Sequence, residues 1–173
     1  MRRILSWSLC GLLAVSMAHA ADAPKLPMTE ANNAAAGYAG TLNFYVGRMA
    51  FACESVLGRP EGFDKTVVAQ WRAHGENGRL FAGAVAYLGD SLKFIEQTQG
   101  DDAGNAFFAA TSRPAIEKAK AEVASEVTGT NEQKTATCHR FLAHVADGSL
   151  DITSKSEHYQ ALSRMADAAA GHP

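Results

Sequence analysis

The side chains of this chain best suited to bind a metal or attack a substrate are its histidines and cysteines, six and three in number. Five of the histidines, His74, His139, His144, His158 and His172, lie beyond an N-terminal leader described below. A zinc-binding pair on one helix needs i,i+4 spacing. His139 and His144 are five apart and would point about 140° away from each other, so they do not share an ion. His74 and His158 would have to meet through the fold, and nothing in their spacing requires it. These are expected to be polar surface histidines, with no metal site. In Cys138-His139 an imidazole beside a thiol can lower its pKa, but neighbours on a helix face different ways and no third orienting group accompanies them. Glu54, next to Cys53, reads as a solvated carboxylate. Gln99-Gly100-Asp101-Asp102 lacks the bidentate glutamate of a calcium loop and reads as a turn. The chain has no C-x-x-C-H haem site, phosphate loop, dinucleotide fingerprint, G-x-S-x-G or H-E-x-x-H. No catalytic residue and no cofactor are expected, and the chain reads as a non-enzyme.

The cysteines carry a different message. Arg2 and Arg3 precede an apolar run from Ile4 to Met17, and Ala18-His19-Ala20 supplies the small residues of a signal-peptidase site. Residues 1–20 therefore read as a secretory signal. The run is too short for a spanning helix and is broken by Ser6, Ser8 and Gly11, so no stable membrane anchor is expected after cleavage. Cys10 would leave with the signal. Cys53 and Cys138 remain, and an exported chain with two cysteines in an oxidising compartment is expected to join them, closing a loop of 85 residues.

Removing twenty residues from 173 leaves 153, enough for one domain with its own core. Loss of Arg2 and Arg3 moves the formal charge from −2 to −4, with the charges interspersed. Nucleic acid is excluded as a partner because no basic stripe exists to displace phosphate counterions.

Helical periodicity runs through the rest. Residues 21–33, with Pro24 and Pro27, read as a flexible lead-in, and 34–170 as a single helical domain. Tyr38, Leu42, Tyr45, Met49, Ala52 and Val56 draw one stripe along a first, central helix that Gly58-Arg59-Pro60 should stop. A second helix follows, with Asp64 as its cap and Phe63 stapled to Val68; it carries Val67, Val68 and Trp71. A third spans Arg79 to Gln99, where the internal Gly83 and Gly89 suggest close approach of another helix. Asp101 to Ala110 is an ambiguous piece, and Ser112 with Pro114 is expected to open the next helix. Thr130-Asn131-Glu132-Gln133 forms a capping box ahead of Cys138, Phe141, Leu142 and Val145, which end at Gly148. Leu150 and Ile152 should anchor the connection to a last helix, opened by a second box at Ser154-Lys155-Ser156-Glu157. No segment alternates like a strand. The expected fold is all-α, an antiparallel bundle of five or six helices stapled by one disulfide.

A signal peptide, one cysteine late in the first helix, another in the C-terminal part and an all-helical body resemble the small single-disulfide periplasmic proteins of Gram-negative bacteria. That group includes the amidase immunity proteins of type VI secretion systems. The resemblance implies a periplasmic protein that binds another protein, such as a toxin or an envelope hydrolase. Tyr38, Trp71, Arg72 and Tyr87, with Phe107 and Phe108, are residue types enriched at binding hot spots and are the candidate contacts. Association into a homodimer is also allowed. The alternative is a carrier of a small molecule or metal in a pocket between helices.

Overall fold

A computed structural model describes residues 23–171, and in it the described chain is all-helical with one disulfide. The signal-peptide segment 1–20 and His172 lie outside the described residues. Six helices follow in order: α1 Glu30–Val56, α2 Phe63–Ala73, α3 Asn77–Gln99, α4 Asp101–Glu126, α5 Asn131–Asp147 and α6 Tyr159–Ala169.

Helix α1 is the axis, touching all five others. Its start differs from expectation. Thr29 accepts from the Asn32 amide as an N-cap and Glu30 sits in the first turn, so residues 30–33 are helical and do not belong to a lead-in. Leu26 packs on the core just ahead of it. The most deeply buried residues of α1 are Ala35, Ala36, Ala39, Val46, Met49, Ala50 and Cys53. Of the stripe read from the sequence only Met49 belongs to that set, and Tyr38, Leu42, Tyr45, Ala52 and Val56 are partly buried along its edge. Small alanines let neighbours approach closely, and a hydrophobicity pattern weighted towards large side chains misses them.

The other helices lie along or against this axis. α2 runs opposite to α1, since Phe63 meets Glu54 and Arg72 meets Asn43. α3 continues in the same direction, with Tyr87 bonded to Asn33. α5 and α6 repeat this arrangement: Cys138 bonds Cys53, Phe141 meets Tyr45, and His158 meets Tyr38. Thus α2–α3 and α5–α6 are two broken legs beside one long helix. The legs pack on each other, α2 against α5 and α3 against α6. α4 alone runs with α1, its Thr111 near Gly37 and its Glu126 on Tyr45.

Several local expectations meet their residues. The Thr130–Gln133 box makes both of its bonds, at 3.3 and 2.8 Å, and Gly148 ends α5 in the left-handed region. Others are corrected. The α4 helix is continuous through Pro114, and Ser112 lies inside it rather than capping it. Proline removes the bond to Ala110, but that carbonyl lies beside an open groove where water can satisfy it, and packing on α1 and α3 holds both halves in line. The α2 helix starts at Phe63, whose amide donates to Glu54 Oε2 at 3.1 Å, so Glu54 does the capping expected of Asp64. The Ser154 box does not form. α6 opens at Tyr159, where the His158 ring meets Tyr38 at a tilt and the Tyr159 hydroxyl donates to Glu76.

Gly83 and Gly89 separate cleanly. A Cβ on Gly83 would stand 2.5 Å from Ala166 Cα and 2.8 Å from the Met165 carbonyl carbon, whereas one on Gly89 would meet nothing within 4 Å. Gly83 is where α3 and α6 touch backbone to backbone. Gly83→Ala should destabilise the fold by about 2 to 3 kcal/mol through overpacking. Gly89→Ala should stabilise it by up to about 1 kcal/mol through helix propensity. Urea melts of the two variants check this, and equal shifts would contradict the assigned contact.

Candidate interaction surface

Two sets of polar and aromatic residues are brought together by this fold. The first lies where the breaks of the two legs meet. Asn77, fully buried at the start of α3, donates through Nδ2 to the Trp71 carbonyl at 2.9 Å and to Asp151 Oδ1 at 2.7 Å. Its Oδ1 accepts from the Ile152 amide at 2.8 Å. The Trp71 indole donates to the Leu150 carbonyl at 3.1 Å, and His74 Nδ1 lies 2.6 Å from Asp151 Oδ2. A Cβ on Gly148 would fall 2.6 Å from His74 Cε1 and 2.9 Å from Asp151 Oδ2, so the glycine leaves room for the pair as well as ending α5.

An imidazole oriented by a carboxylate is half of a general-base arrangement, which also needs a nucleophile and oxyanion donors. Here no hydroxyl or thiol bonds His74 among the described residues, and the remaining oxygen of Asp151 is taken by Asn77. These groups bind the 148–158 connection to the α2–α3 turn. They form a latch that ties residues some 75 positions apart. The sequence reading expected His74 to be a surface histidine. Its side chain is 41 % exposed but paired, because the connection from α5 folds back over it.

The second set is a band across α1, α2 and α3. Phe44, Arg48 and Phe51 follow one another at helical spacing on α1, and Phe51 is 56 % exposed. The Arg48 guanidinium lies 5.5 Å over the Phe51 ring. Arg72 of α2 lies 4.5 Å over Phe81 of α3, while its Nε and Nη2 donate to Asn43 Oδ1 at 3.0 and 2.8 Å. Val85, one turn on from Phe81, is 52 % exposed. Neither Arg48 nor Arg72 has a carboxylate within ion-pair distance among the described residues, whereas Arg79 is engaged by both Glu76 and Asp167. Between α1 and α2 the band encloses a groove of about 250 Å³, with Gly47 and Val68 in it and Asp64 on its far wall.

The candidate contacts read from the sequence divide between core and surface. Trp71 is fully buried and Tyr87 nearly so, its hydroxyl on Asn33 Oδ1 at 2.7 Å, so neither can meet a partner in this fold. Tyr38 is half-buried against His158 at 5.0 Å between ring centroids. Arg72 is exposed. Phe107 is half-buried and Phe108 is exposed, on α4. Arg48, Phe51 and Phe44 were not singled out as contacts. The signal that could have found them is an aromatic i,i+7 pair with an arginine between them, off the buried stripe.

Other groups have structural roles. The Tyr45 hydroxyl donates to both oxygens of Glu126, at 3.0 and 2.9 Å, and its ring meets Phe141 edge-on. Burial first, and then that hydrogen bond, push its pKa well above the ordinary tyrosine value. A tyrosine with a raised folded pKa contributes stability that is whole below its unfolded value, near 10, and is lost as pH rises towards the folded one. Absorbance titration should therefore show a tyrosine ionising late and together with alkaline unfolding, and Tyr45→Phe should remove that component. Glu76 is held below the usual carboxylate range, first by the Tyr159 hydroxyl and then by Arg79. His139 and His144 are exposed on α5, and the described residues include no cluster of metal-ligating side chains.

Of the concave sites, a depression between residues 24–26 and helices α3 and α6 holds about 10 Å³, room for a water-sized molecule. Larger spaces of about 610 and 640 Å³ are open grooves along α1, beside α4 and α6. No described helix is long and apolar enough to cross a membrane. No family model, no curated protein and no solved structure matches this chain.

Proposed function

We propose that this is a non-enzymatic, exported periplasmic protein that acts by binding another protein, as an immunity or inhibitor protein against a toxin or an envelope hydrolase. One observation carries the reading, the exposed Arg–Phe band across α1, α2 and α3. Arginine and aromatic side chains dominate binding hot spots because they combine large apolar contact with directed hydrogen bonds. Here they stand in a row with two guanidiniums unmatched by any carboxylate of the described chain. The Cys53–Cys138 bond agrees with an oxidising compartment.

The test is affinity capture of the tagged full chain from an envelope extract of the organism that makes it, beside the Arg48→Glu/Arg72→Glu variant. One stoichiometric protein should be retained by the wild type and lost by the variant. Recovery of no protein across several ionic strengths would overturn the binding role. Equal retention by both forms would keep the role and remove the band from it.

A further inference from the structure

The band's chemistry also specifies what it recognises, an inference that rests on the protein-binding reading above. Its groove has an apolar interior, since Gly47 has no side chain and Phe44, Phe51 and Val68 line the walls. At about 250 Å³, open along one side, it is smaller than a typical small-molecule cleft and suits one large side chain. The guanidiniums beside it are held in place before any partner arrives. Ring stacking occupies one face of Arg48, and Phe81 with Asn43 fixes Arg72. Their remaining N–H groups have the fork geometry that matches carboxylates. Arg48 and Asp64 line the groove, and Arg72 stands outside the lining, held at the rim by the lining residue Asn43, so wall and rim together carry two positive groups and one negative on a chain whose formal charge is −2.

We infer that the α1–α2 groove docks an acidic protein segment, seating an aromatic or branched apolar side chain between Phe44 and Phe51 over Gly47, with flanking carboxylates on Arg48 and Arg72. The overall negative charge and the absence of a basic stripe disfavour a nucleic-acid polyanion. Charge complementarity of this kind sets partner choice and association rate, and weakens with salt.

The experiment pans a random dodecapeptide library against the immobilised full chain, without knowledge of the natural partner. Enriched peptides should join acidic residues to an aromatic or aliphatic anchor. Their consensus peptide should bind the wild type at least about tenfold more tightly than Arg48→Glu/Arg72→Glu. Gly47→Val, which fills the groove from its base, should weaken the peptide comparably, and circular dichroism and melting of each variant confirm that the fold is kept. No enrichment over the blank surface, a neutral or basic consensus, or equal affinity for the arginine variant each overturns the inference. Arginine-dependent sedimentation with phosphatidylglycerol vesicles in place of peptide binding would assign the face to anionic lipid and overturn it too. Acid-rich selection with no captured partner leaves the groove chemistry standing without its biological role, whereas a captured partner indifferent to both arginines does the reverse.

Discussion

Opening the Cys53–Cys138 bond, by reduction or by the double change Cys53→Ser/Cys138→Ser, will lower the free energy of unfolding by about 4 to 5 kcal/mol. The estimate follows from releasing an 85-residue loop in the unfolded chain. Both sulfurs are fully buried, one near the C-terminal end of α1 and the other inside α5, with Cα atoms 5.4 Å apart. Without the bond, the remaining ties of α5 to the axis include the packing of Phe141 and Val145 and the edge-on contact of Phe141 with Tyr45. Typical domains are stable by only about 5 to 15 kcal/mol, so the reduced protein should stand close to unfolding at 37 °C. Urea titration of both forms measures the difference, and alkylation of the unreduced protein should label neither cysteine. A loss under about 1 kcal/mol would show that helix packing alone holds α5 in place.

Replacing Asn77 with alanine has the next largest expected effect, a loss of about 3 to 5 kcal/mol. The side chain makes three bonds inside the core, and its removal strands the Ile152 amide and Asp151 Oδ1 beside a new void, while the Trp71 carbonyl keeps only the His74 amide. An unsatisfied buried polar group costs about 1 to 3 kcal/mol, more than the net gain from making its bond. His74→Ala removes only the partly exposed member of the same latch and should cost about 1 kcal/mol, discounted for solvent screening. Hydrogen exchange gives the sharper reading. In Asn77→Ala the amides of residues 150–152 should lose protection before those of α1. If His74→Ala proves as damaging as Asn77→Ala, the imidazole rather than the amide is the centre of the latch.

Local order was readable from the chain. The capping box at Thr130, the stop after Val56 and the glycine at 148 follow from backbone rules that act over a few residues, whereas Gly83 and Gly89 read alike and only the packing of α6 on Gly83 separates them. The disulfide followed from counting cysteines in a chain read as exported, and the structure places the two within bonding distance. The reading misplaced the starts of α1, α4 and α6: it passed over the local Thr29 cap of α1, packing against α1 and α3 carries α4 through Pro114, and the contacts of His158 and Tyr159 with Tyr38 and Glu76 mark the start of α6. The same reading also offered Trp71 and Tyr87 as surface contacts, although each lies in the core with its polar atom on a distant partner.

Periodicity reports which face of a helix is apolar, but not which helix that face will meet. The latch joins Asn77 to Asp151 and Ile152, and the exposed Arg–Phe band joins Asn43 to Arg72 and Arg72 to Phe81. Each of these pairs exists because two broken legs fold back along α1 at matching heights. That alignment is set by burial summed over all six helices, so no short stretch of sequence contains it.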